Sequence, residues 1–374
     1  MAGIYIHIPF CKQACHYCDF HFSTNLDMAE AMVSMICKEL VQRKEYLPKD
    51  STINTVYFGG GTPSLLNTSQ LERILESVYQ NYSVDLEELT IETNPDDLKK
   101  EKLGNLKSLG FDRLSIGIQS FNPEILKFYN RAHTSEESYS AIDLAKSSGF
   151  EKLSIDLIYG FPHQDHSIWK KDLAIAISQD PGHISSYCLT VEPKTALGNW
   201  AKKGSFTPAS EDFSAEQFEM LQDSMEKANY IQYEISNFGK TNQFAVHNTN
   251  YWKGIPYLGI GPSAHSFDGK ERGSNLANNA KYIKNLSDGI NSFDIEPMSD
   301  EDLINEYILT SLRTIWGTDI GFVNSKLKMD FVLQKKRMLK QLEDEKLIAI
   351  QNDHILLSKK GKLLADSIAA SLFI

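Results

Sequence analysis

The first 190 residues of this 374-residue chain alternate between short apolar runs and longer amphipathic stretches. The apolar runs predict six strands, at residues 3–8, 55–58, 89–93, 113–118, 153–157 and 184–190. Each is a nearly continuous apolar run, which is typical of a strand buried on both faces. Helical periodicity between them, for example at residues 29–43, 69–79 and 135–148, requires parallel strands joined by right-handed crossovers. The pattern therefore predicts an α/β fold, with the sheet either open or rolled into a partial barrel.

Residues with useful chemistry follow nearly every predicted strand. They are His7, the run Gly59–Gly61, Glu92 with Asn94, Gln119, Asp156, and Thr190 with Glu192. Barrel enzymes collect their active-site groups at the carboxyl ends of the strands, so these residues favour a partial barrel around one shared cavity. The alternative is that polar residues end strands simply because loops begin there.

The chain divides by pattern into three parts. Residues 1–195 form the predicted barrel, and residues 196–290 are expected to cover it without a core of their own. Residues 291–374 change to helices and two short strands, which resembles a winged-helix-like domain. The predicted elements there are helices at 300–312, 331–345 and 359–371, and strands at 347–350 and 354–357 around an Asn352-Asp353 turn.

Composition excludes several classes of protein. The chain carries 38 Lys and Arg against 49 Asp and Glu, a net charge of −11, so no nucleic-acid partner is expected. No apolar run approaches the roughly 18–20 residues of a membrane span, and no signal peptide is apparent. Five cysteines do not form a disulfide framework. We therefore expect a cytoplasmic protein with a metal or redox site.

Three of the five cysteines, Cys11, Cys15 and Cys18, lie within eight residues directly after the first predicted strand. Three thiolates on one loop can converge on one metal centre. Zinc usually takes four ligands, so a zinc site must recruit His16 or His21. An iron–sulfur cubane on three cysteines would instead keep one iron open. The remaining two, Cys37 and Cys188, are expected to be packing residues.

The spacing Cys-x3-Cys-x2-Cys resembles the motif of the radical S-adenosylmethionine (radical SAM) superfamily. The resemblance implies a [4Fe-4S] cluster on Cys11, Cys15 and Cys18, with its fourth iron chelated by S-adenosylmethionine. It also implies reductive cleavage of that cofactor to a 5′-deoxyadenosyl radical, and a partial (β/α)6 barrel. Tyr17 is the aromatic residue that the superfamily usually has before the last ligand.

Further stretches resemble the HemN/HemW branch of this superfamily, namely residues 57–63, 115–121, 156–162, 233–238 and 259–266. In that branch the glycine run contacts the methionyl amino group, a glutamate contacts the ribose, and an arginine can bind the methionyl carboxylate. The resemblance implies that the cofactor contacts are Tyr5, Gly60, Gly61, Thr62, Glu92, Gln119, Arg131 and Asp156.

Two features separate the oxidases from the haem chaperones within this branch. The oxygen-independent coproporphyrinogen III oxidase has a further cysteine where this chain has Phe20, and a long segment before its cysteines where this chain has ten residues. Secondly, residues 247–252 match His-Asn-x-x-Tyr-Trp, the haem-binding motif of the chaperones. The match implies that His247, Tyr251 and Trp252 bind haem. The alternative is a turn anchored by two aromatic rings, with His247 held structurally.

We therefore expect a radical SAM haem chaperone that binds a [4Fe-4S] cluster, S-adenosylmethionine and haem, and passes haem to acceptor proteins. The alternatives are an oxygen-independent coproporphyrinogen III oxidase and a zinc-stabilised binding module. The sequence leaves open a homodimer, peripheral association with membrane haem proteins, and catalytic cleavage of the cofactor.

Overall fold

A computed structural model describes all residues, 1–374. Its centre is a twelve-stranded sheet in which six parallel strands lie side by side in chain order. These are β1 (Ala2–Ile8), β2 (Thr52–Gly60), β3 (Ser83–Thr93), β4 (Arg113–Gln119), β5 (Lys152–Tyr159) and β6 (Gly182–Cys188). Because further strands pair with the outer edges of β1 and β6, the barrel does not close. The predicted partial barrel is confirmed, and all six predicted strands are present.

Helices follow the first five strands and cover the outside of the sheet. They are α1 (Ala29–Gln42), α2 (Thr68–Asn81), α3 (Lys100–Ser108), α4 (Pro123–Phe128), α5 (Ser135–Ser147) and α6 (Ser167–Ser178). Capping boxes fix the starts of two of them, with Asn67 and Gln70 at α2 and Thr134 and Glu137 at α5. The covered face of the sheet belongs to a single apolar cluster of 48 buried residues.

The strands are buried on both faces, as predicted, but only the outer face is apolar. In β1, Ile4, Ile6 and Ile8 belong to the apolar cluster, whereas Tyr5 stacks on Tyr57 of β2 inside the barrel. The inner face is lined with polar side chains that bond to one another, among them Tyr57 with Glu92, Ser115 with Asp156, and Glu88 with Arg113. Because these side chains form hydrogen bonds with one another, polar residues can occupy buried positions on the inner face.

Residues 196–297 extend the sheet at both edges and share the core of the barrel. Strands β7 and β8 continue it beyond β6, and β9 to β12 continue it beyond β1. The elements are α7 (Ala196–Lys202), α8 (Glu211–Lys227), β7 (Ile231–Gln232), β8 (Asn237–Gly239), α9 (Val246–Trp252), β9 (Tyr257–Ile260), β10 (His265–Phe267), β11 (Glu271–Asn275), α10 (Asn279–Ser287) and β12 (Phe293–Pro297). The domain boundaries at residues 195 and 290 stay predictions.

The C-terminal part has its own apolar cluster of 14 buried residues and a small antiparallel sheet, as a winged-helix-like domain would. Its elements are α11 (Asp300–Leu312), β13 (Thr318–Asp319), α12 (Ile320–Leu327), α13 (Phe331–Gln334), α14 (Lys336–Asp344), β14 (Ile348–Gln351), β15 (His354–Leu357) and α15 (Ala365–Leu372). The predicted hairpin is confirmed, since Asn352 and Asp353 both have positive φ, as a type I′ turn requires.

Two predicted helices differ from the structure. The one at 331–345 is divided at Lys335, and the one at 359–371 begins as a 3-10 turn over Gly361–Leu364. No helix in the chain is both long enough and apolar enough to span a bilayer.

Candidate functional site

The cysteine loop leaves β1 at the carboxyl end of the barrel. Backbone hydrogen bonds close its base, because Cys11 N donates to Ser23 O (3.0 Å) and Ser23 N donates to Pro9 O (2.9 Å). Cys11, Cys15 and Cys18 are half-buried and line one cavity of about 1320 Å³. The loop therefore places all three cysteines on the wall of one cavity at the carboxyl end of the barrel.

Burial raises the pKa of the Cys11 thiol to about 11 and that of Cys18 to about 12, so metal binding there must displace protons. Neighbouring donors point at two of the sulfurs, with Thr62 Oγ1 3.6 Å from Cys11 Sγ and Arg131 Nη1 3.4 Å from Cys15 Sγ. Hydrogen bonds to the sulfurs and partial burial suit a cluster, whose properties both features tune. The donor set therefore fits an iron–sulfur centre.

The zinc alternative needs His16 or His21 as a fourth ligand beside the three thiols. Each histidine uses one ring nitrogen in a hydrogen bond, His16 Nδ1 to Phe128 O (2.6 Å) and His21 Nε2 to Asn279 Oδ1 (2.7 Å). No group of three or more His, Cys, Asp or Glu side chains, the three thiols included, is placed around a single metal ion. A ready-made site for one zinc ion is therefore absent.

The glycine run packs directly against the backbone of the cysteine loop. A Cβ on Gly61 would lie 2.5 Å from the carbonyl oxygen of Phe10, so only glycine fits there. Gly60 has φ of +105°, and its N–H donates to Glu92 Oε2 (3.1 Å). Thr62 N donates to Phe10 O (2.7 Å), which joins the run to the loop. Gly60, Gly61 and Thr62 all line the cavity.

Arg131 connects several elements beside the thiols. Its Nη2 donates to Asn94 Oδ1 and to Gly117 O, both at 2.7 Å, and its Nη1 lies 3.4 Å from the hydroxyl of Tyr17. Its Nε is buried without a partner. Arg131 lines the cavity beside the thiols, which suits the role of binding the methionyl carboxylate that the family resemblance implies for it.

Gln119, Glu92 and Asp156 also line the cavity. Gln119 has φ of +69°, which is uncommon for a residue other than glycine and marks the end of β4. Burial raises the pKa of Glu92 to about 7 and that of Asp156 to about 6. Tyr57 donates to Glu92 (2.8 Å), and Ser115 donates to Asp156 (3.3 Å), which partly offsets the cost of burying their charges.

The pKa of Glu92 predicts a pH dependence. A raised carboxyl pKa means that Glu92 is protonated below about pH 7, and only the ionised form accepts hydrogen bonds through both oxygens. We expect the affinity for S-adenosylmethionine to fall roughly tenfold from pH 8 to pH 6, measured by calorimetry on anaerobically reconstituted protein. Glu92→Gln is the control, because the ligand's own amino group titrates equally in both proteins. An equal slope in the variant would exclude Glu92 as the cause.

Four predicted contacts do not line the cavity. Tyr5 stacks on Tyr57 inside the barrel at 6.0 Å, and its hydroxyl lies 3.3 Å from His7 Nδ1. The other three, His247, Tyr251 and Trp252, lie on α9. Only Asn248 of that motif reaches the cavity wall.

His247 is fully enclosed within the barrel. Its Nδ1 lies 2.8 Å from Thr55 Oγ1, its Nε2 lies 2.9 Å from the Tyr251 hydroxyl, and its ring stacks on Tyr57 at 5.0 Å. Burial lowers its pKa to about 3, so the imidazole is neutral. Both ring nitrogens are therefore occupied by the protein in this conformation, as the structural alternative for this motif expects.

A buried ion pair that the sequence analysis missed holds α9 in place. The helix has no side-chain cap of its own, and the Glu88 carboxylate accepts from the N–H groups of Val246 (2.9 Å) and His247 (3.0 Å). Glu88 is paired with Arg113, whose Nη2 also donates to Phe244 O (2.9 Å). The only signal for this pair in the sequence is that Glu88 and Arg113 fall at positions whose side chains alternate toward the inside of the barrel.

An open parallel barrel with a three-cysteine loop after its first strand defines a radical SAM protein. Residues 5–173 match the family described as the radical SAM superfamily. The fold also matches coproporphyrinogen III oxidase (HemN) from Escherichia coli, described as a radical SAM enzyme, with a TM-score of 0.85 over 100% of this chain and 90% of that one. At 22% identity this match shows the fold alone.

Similarity in sequence then identifies the branch. The haem chaperone HemW of Bacillus subtilis is 32% identical over 372 residues, 98% of each chain. The haem chaperone HemW of Lactococcus lactis is also 32% identical, over 97% of this chain and 95% of that one. The chain therefore belongs to the HemW family, in the HemN/HemW branch of the radical SAM superfamily, as the sequence predicts. The superfamily implies a [4Fe-4S] cluster and S-adenosylmethionine as cofactors.

Proposed function

We propose that this protein binds haem and transfers it to acceptor proteins, with the [4Fe-4S] cluster and S-adenosylmethionine held in the same cavity. One observation carries the proposal. The cavity of about 1320 Å³ is lined by the three thiols on one side and extends to the C-terminal domain on the other. Single-ligand pockets measure about 300–1000 Å³, so this one has room for a cofactor and a second large ligand. The relatives named as haem chaperones supply the identity of that ligand.

The barrel residues have separate parts in this proposal. Cys11, Cys15 and Cys18 hold the cluster, which supplies an electron to S-adenosylmethionine when reduced. Gly60, Gly61 and Thr62 offer backbone groups and a hydroxyl to the methionyl end, and Arg131 binds its carboxylate. Glu92 accepts from the ribose. The family resemblance also assigns contacts to Tyr17, Gln119 and Asp156, which line the cavity, and to Tyr5, which lies behind its wall.

The haem contacts at His247, Tyr251 and Trp252 also belong to the proposal. Ligation of the iron by His247 requires one ring nitrogen to leave its hydrogen bond, either Nε2 from Tyr251 or Nδ1 from Thr55. Asn248 on the cavity wall puts α9 beside the space in which haem would lie.

Two assays on anaerobically reconstituted protein test the function. We expect haem to bind at about one per chain, followed by its Soret band, and coproporphyrinogen III to remain undecarboxylated. Haem-loaded protein should then deliver haem to haem-depleted membranes faster than the same amount of free haem does. Decarboxylation without haem binding would instead identify an oxidase.

The acceptor proteins, peripheral association with membrane haem proteins, a homodimer and a cytoplasmic location stay predictions from the sequence.

A further inference from the structure

The C-terminal domain supplies most of the positive charge in the cavity. Four cationic side chains line it, Arg131 beside the thiols and Arg313, Lys360 and Lys362 from the C-terminal domain. This is notable in a chain whose net charge is −11. The cavity is also lined by apolar side chains, namely Leu363 and Leu364 of the C-terminal domain and Phe218 and Ile235 of the preceding part. Apolar surface with a few placed charges is suited to a flat, largely apolar ligand that bears acidic groups.

Lys362 carries a half-buried ammonium group that forms no salt bridge, although Glu234 and Glu226 lie close enough to influence its charge. Its Nζ donates only to Gln232, to the side-chain oxygen at 3.0 Å and the backbone carbonyl at 3.4 Å. The nearby Lys359, by contrast, pairs with Asp223 (2.6 Å) and Glu226 (2.8 Å). Burial lowers the pKa of Lys362 to about 8. A partly desolvated cation is costly unless it is paired, so an anion in the cavity would relieve that cost.

Arg313 is the second cation on this wall of the cavity. Its Nη1 donates to Asp366 Oδ1 (2.6 Å), but its Nε is buried and has no partner. Its guanidinium carbon lies 5.3 Å from the centre of the Trp252 ring, which links it to the motif on α9. The acidic groups that line this side are Asp366, which Arg313 already pairs, and Glu211 and Asp212 at the start of α8. Behind the wall, the buried carboxyl group of Glu234 interacts electrostatically with both Lys362 and Arg313.

We propose that Lys362 and Arg313 bind the two propionate carboxylates of haem on this wall of the cavity, an inference that rests on the haem binding proposed above. The ammonium and the guanidinium would each make charge-assisted hydrogen bonds to one carboxylate. The macrocycle would lie against the apolar side chains between the C-terminal domain and α8. The site thus has two parts, with the barrel holding the cofactor and the C-terminal domain orienting the second ligand.

The experiment compares haem with its dimethyl ester, in which both propionates are masked. Wild-type protein, reconstituted anaerobically, should bind the ester roughly tenfold or more weakly than haem in a Soret titration. In the Lys362→Met/Arg313→Met variant, haem should bind roughly tenfold or more weakly, and the difference between haem and ester should disappear. The control is Arg337→Met/Lys340→Met, which removes the same charge from exposed positions of the same domain outside the cavity and should discriminate as wild type does.

The outcomes separate this inference from the function on which it rests. Equal binding of haem and ester by wild-type protein, or unchanged discrimination in the Lys362/Arg313 variant, would overturn the propionate site while haem binding stands. Failure of wild-type protein to bind haem would overturn both. Thermal melting checks that the variant folds, and the comparison of haem with ester in wild-type protein needs no variant.

Discussion

Cys15→Ala is expected to lower the iron content of anaerobically reconstituted protein from about four atoms per chain to less than about one. The three thiols are held by one short loop whose base is closed at Cys11 and Ser23, and no other cysteine of that loop can take the place of Cys15. With two thiolates left, a cubane has two unsupported irons and is lost on desalting. Iron and sulfide analysis together with electron paramagnetic resonance of the reduced protein measures the effect.

Cys37→Ala is the matched control for this prediction. Cys37 is half-buried on α1, and its Sγ lies 3.6 Å from the carbonyl oxygen of Arg73, away from the cavity. This variant should keep about four irons per chain, because it removes a thiol without touching the loop. Stoichiometric zinc in wild-type protein, with iron absent, would contradict the cluster and favour the zinc-stabilised module.

The half of the site nearest the cluster could be predicted because its signals are local. A thiol spacing, a glycine run and single polar residues at strand ends each occupy a few consecutive positions. The carboxyl ends of parallel strands lie at one edge of the sheet. Recognition of the strands therefore predicts that Glu92, Gln119 and Asp156 lie near one another. Contacts between loops, such as that of Arg131 with Tyr17, depend on how the loops pack at this edge and could not be predicted from the sequence.

The other half could not be predicted because it depends on contacts between distant segments. Nothing near Lys362 indicates that a turn more than 340 residues after Cys18 lines the same cavity. Cys188 was expected to be a packing residue, yet it lies on the cavity wall at the end of β6. The polar character of the inward faces could not be predicted for a similar reason, since Tyr5 packs on Tyr57 and Thr55 bonds to His247, and both partners come from other segments of the chain.

His247→Ala is the second change with a large expected effect, and it acts first on stability. The imidazole is enclosed, bonded at both nitrogens and stacked on Tyr57, so its removal leaves a cavity and two unpaired hydroxyls. We expect the free energy of unfolding to fall by about 2–4 kcal/mol, measured by chemical denaturation. Loss of haem binding in this variant alone would therefore not distinguish an axial ligand from a structural residue.

Tyr251→Phe makes that distinction, because it keeps the ring and removes only the hydroxyl that occupies Nε2 of His247. If Nε2 binds iron, the wild-type protein must first break this hydrogen bond, which is worth about 0.5–1.5 kcal/mol. Tyr251→Phe should then raise haem affinity roughly 2- to 10-fold, while His247→Ala loses the spectral signature of imidazole ligation. Thr55→Val, which frees Nδ1 and leaves the Tyr251 contact in place, is the matched control and should raise the affinity less. Equal haem affinity in Tyr251→Phe, His247→Ala and wild type would assign His247 to the scaffold of the barrel and leave haem to the cavity wall.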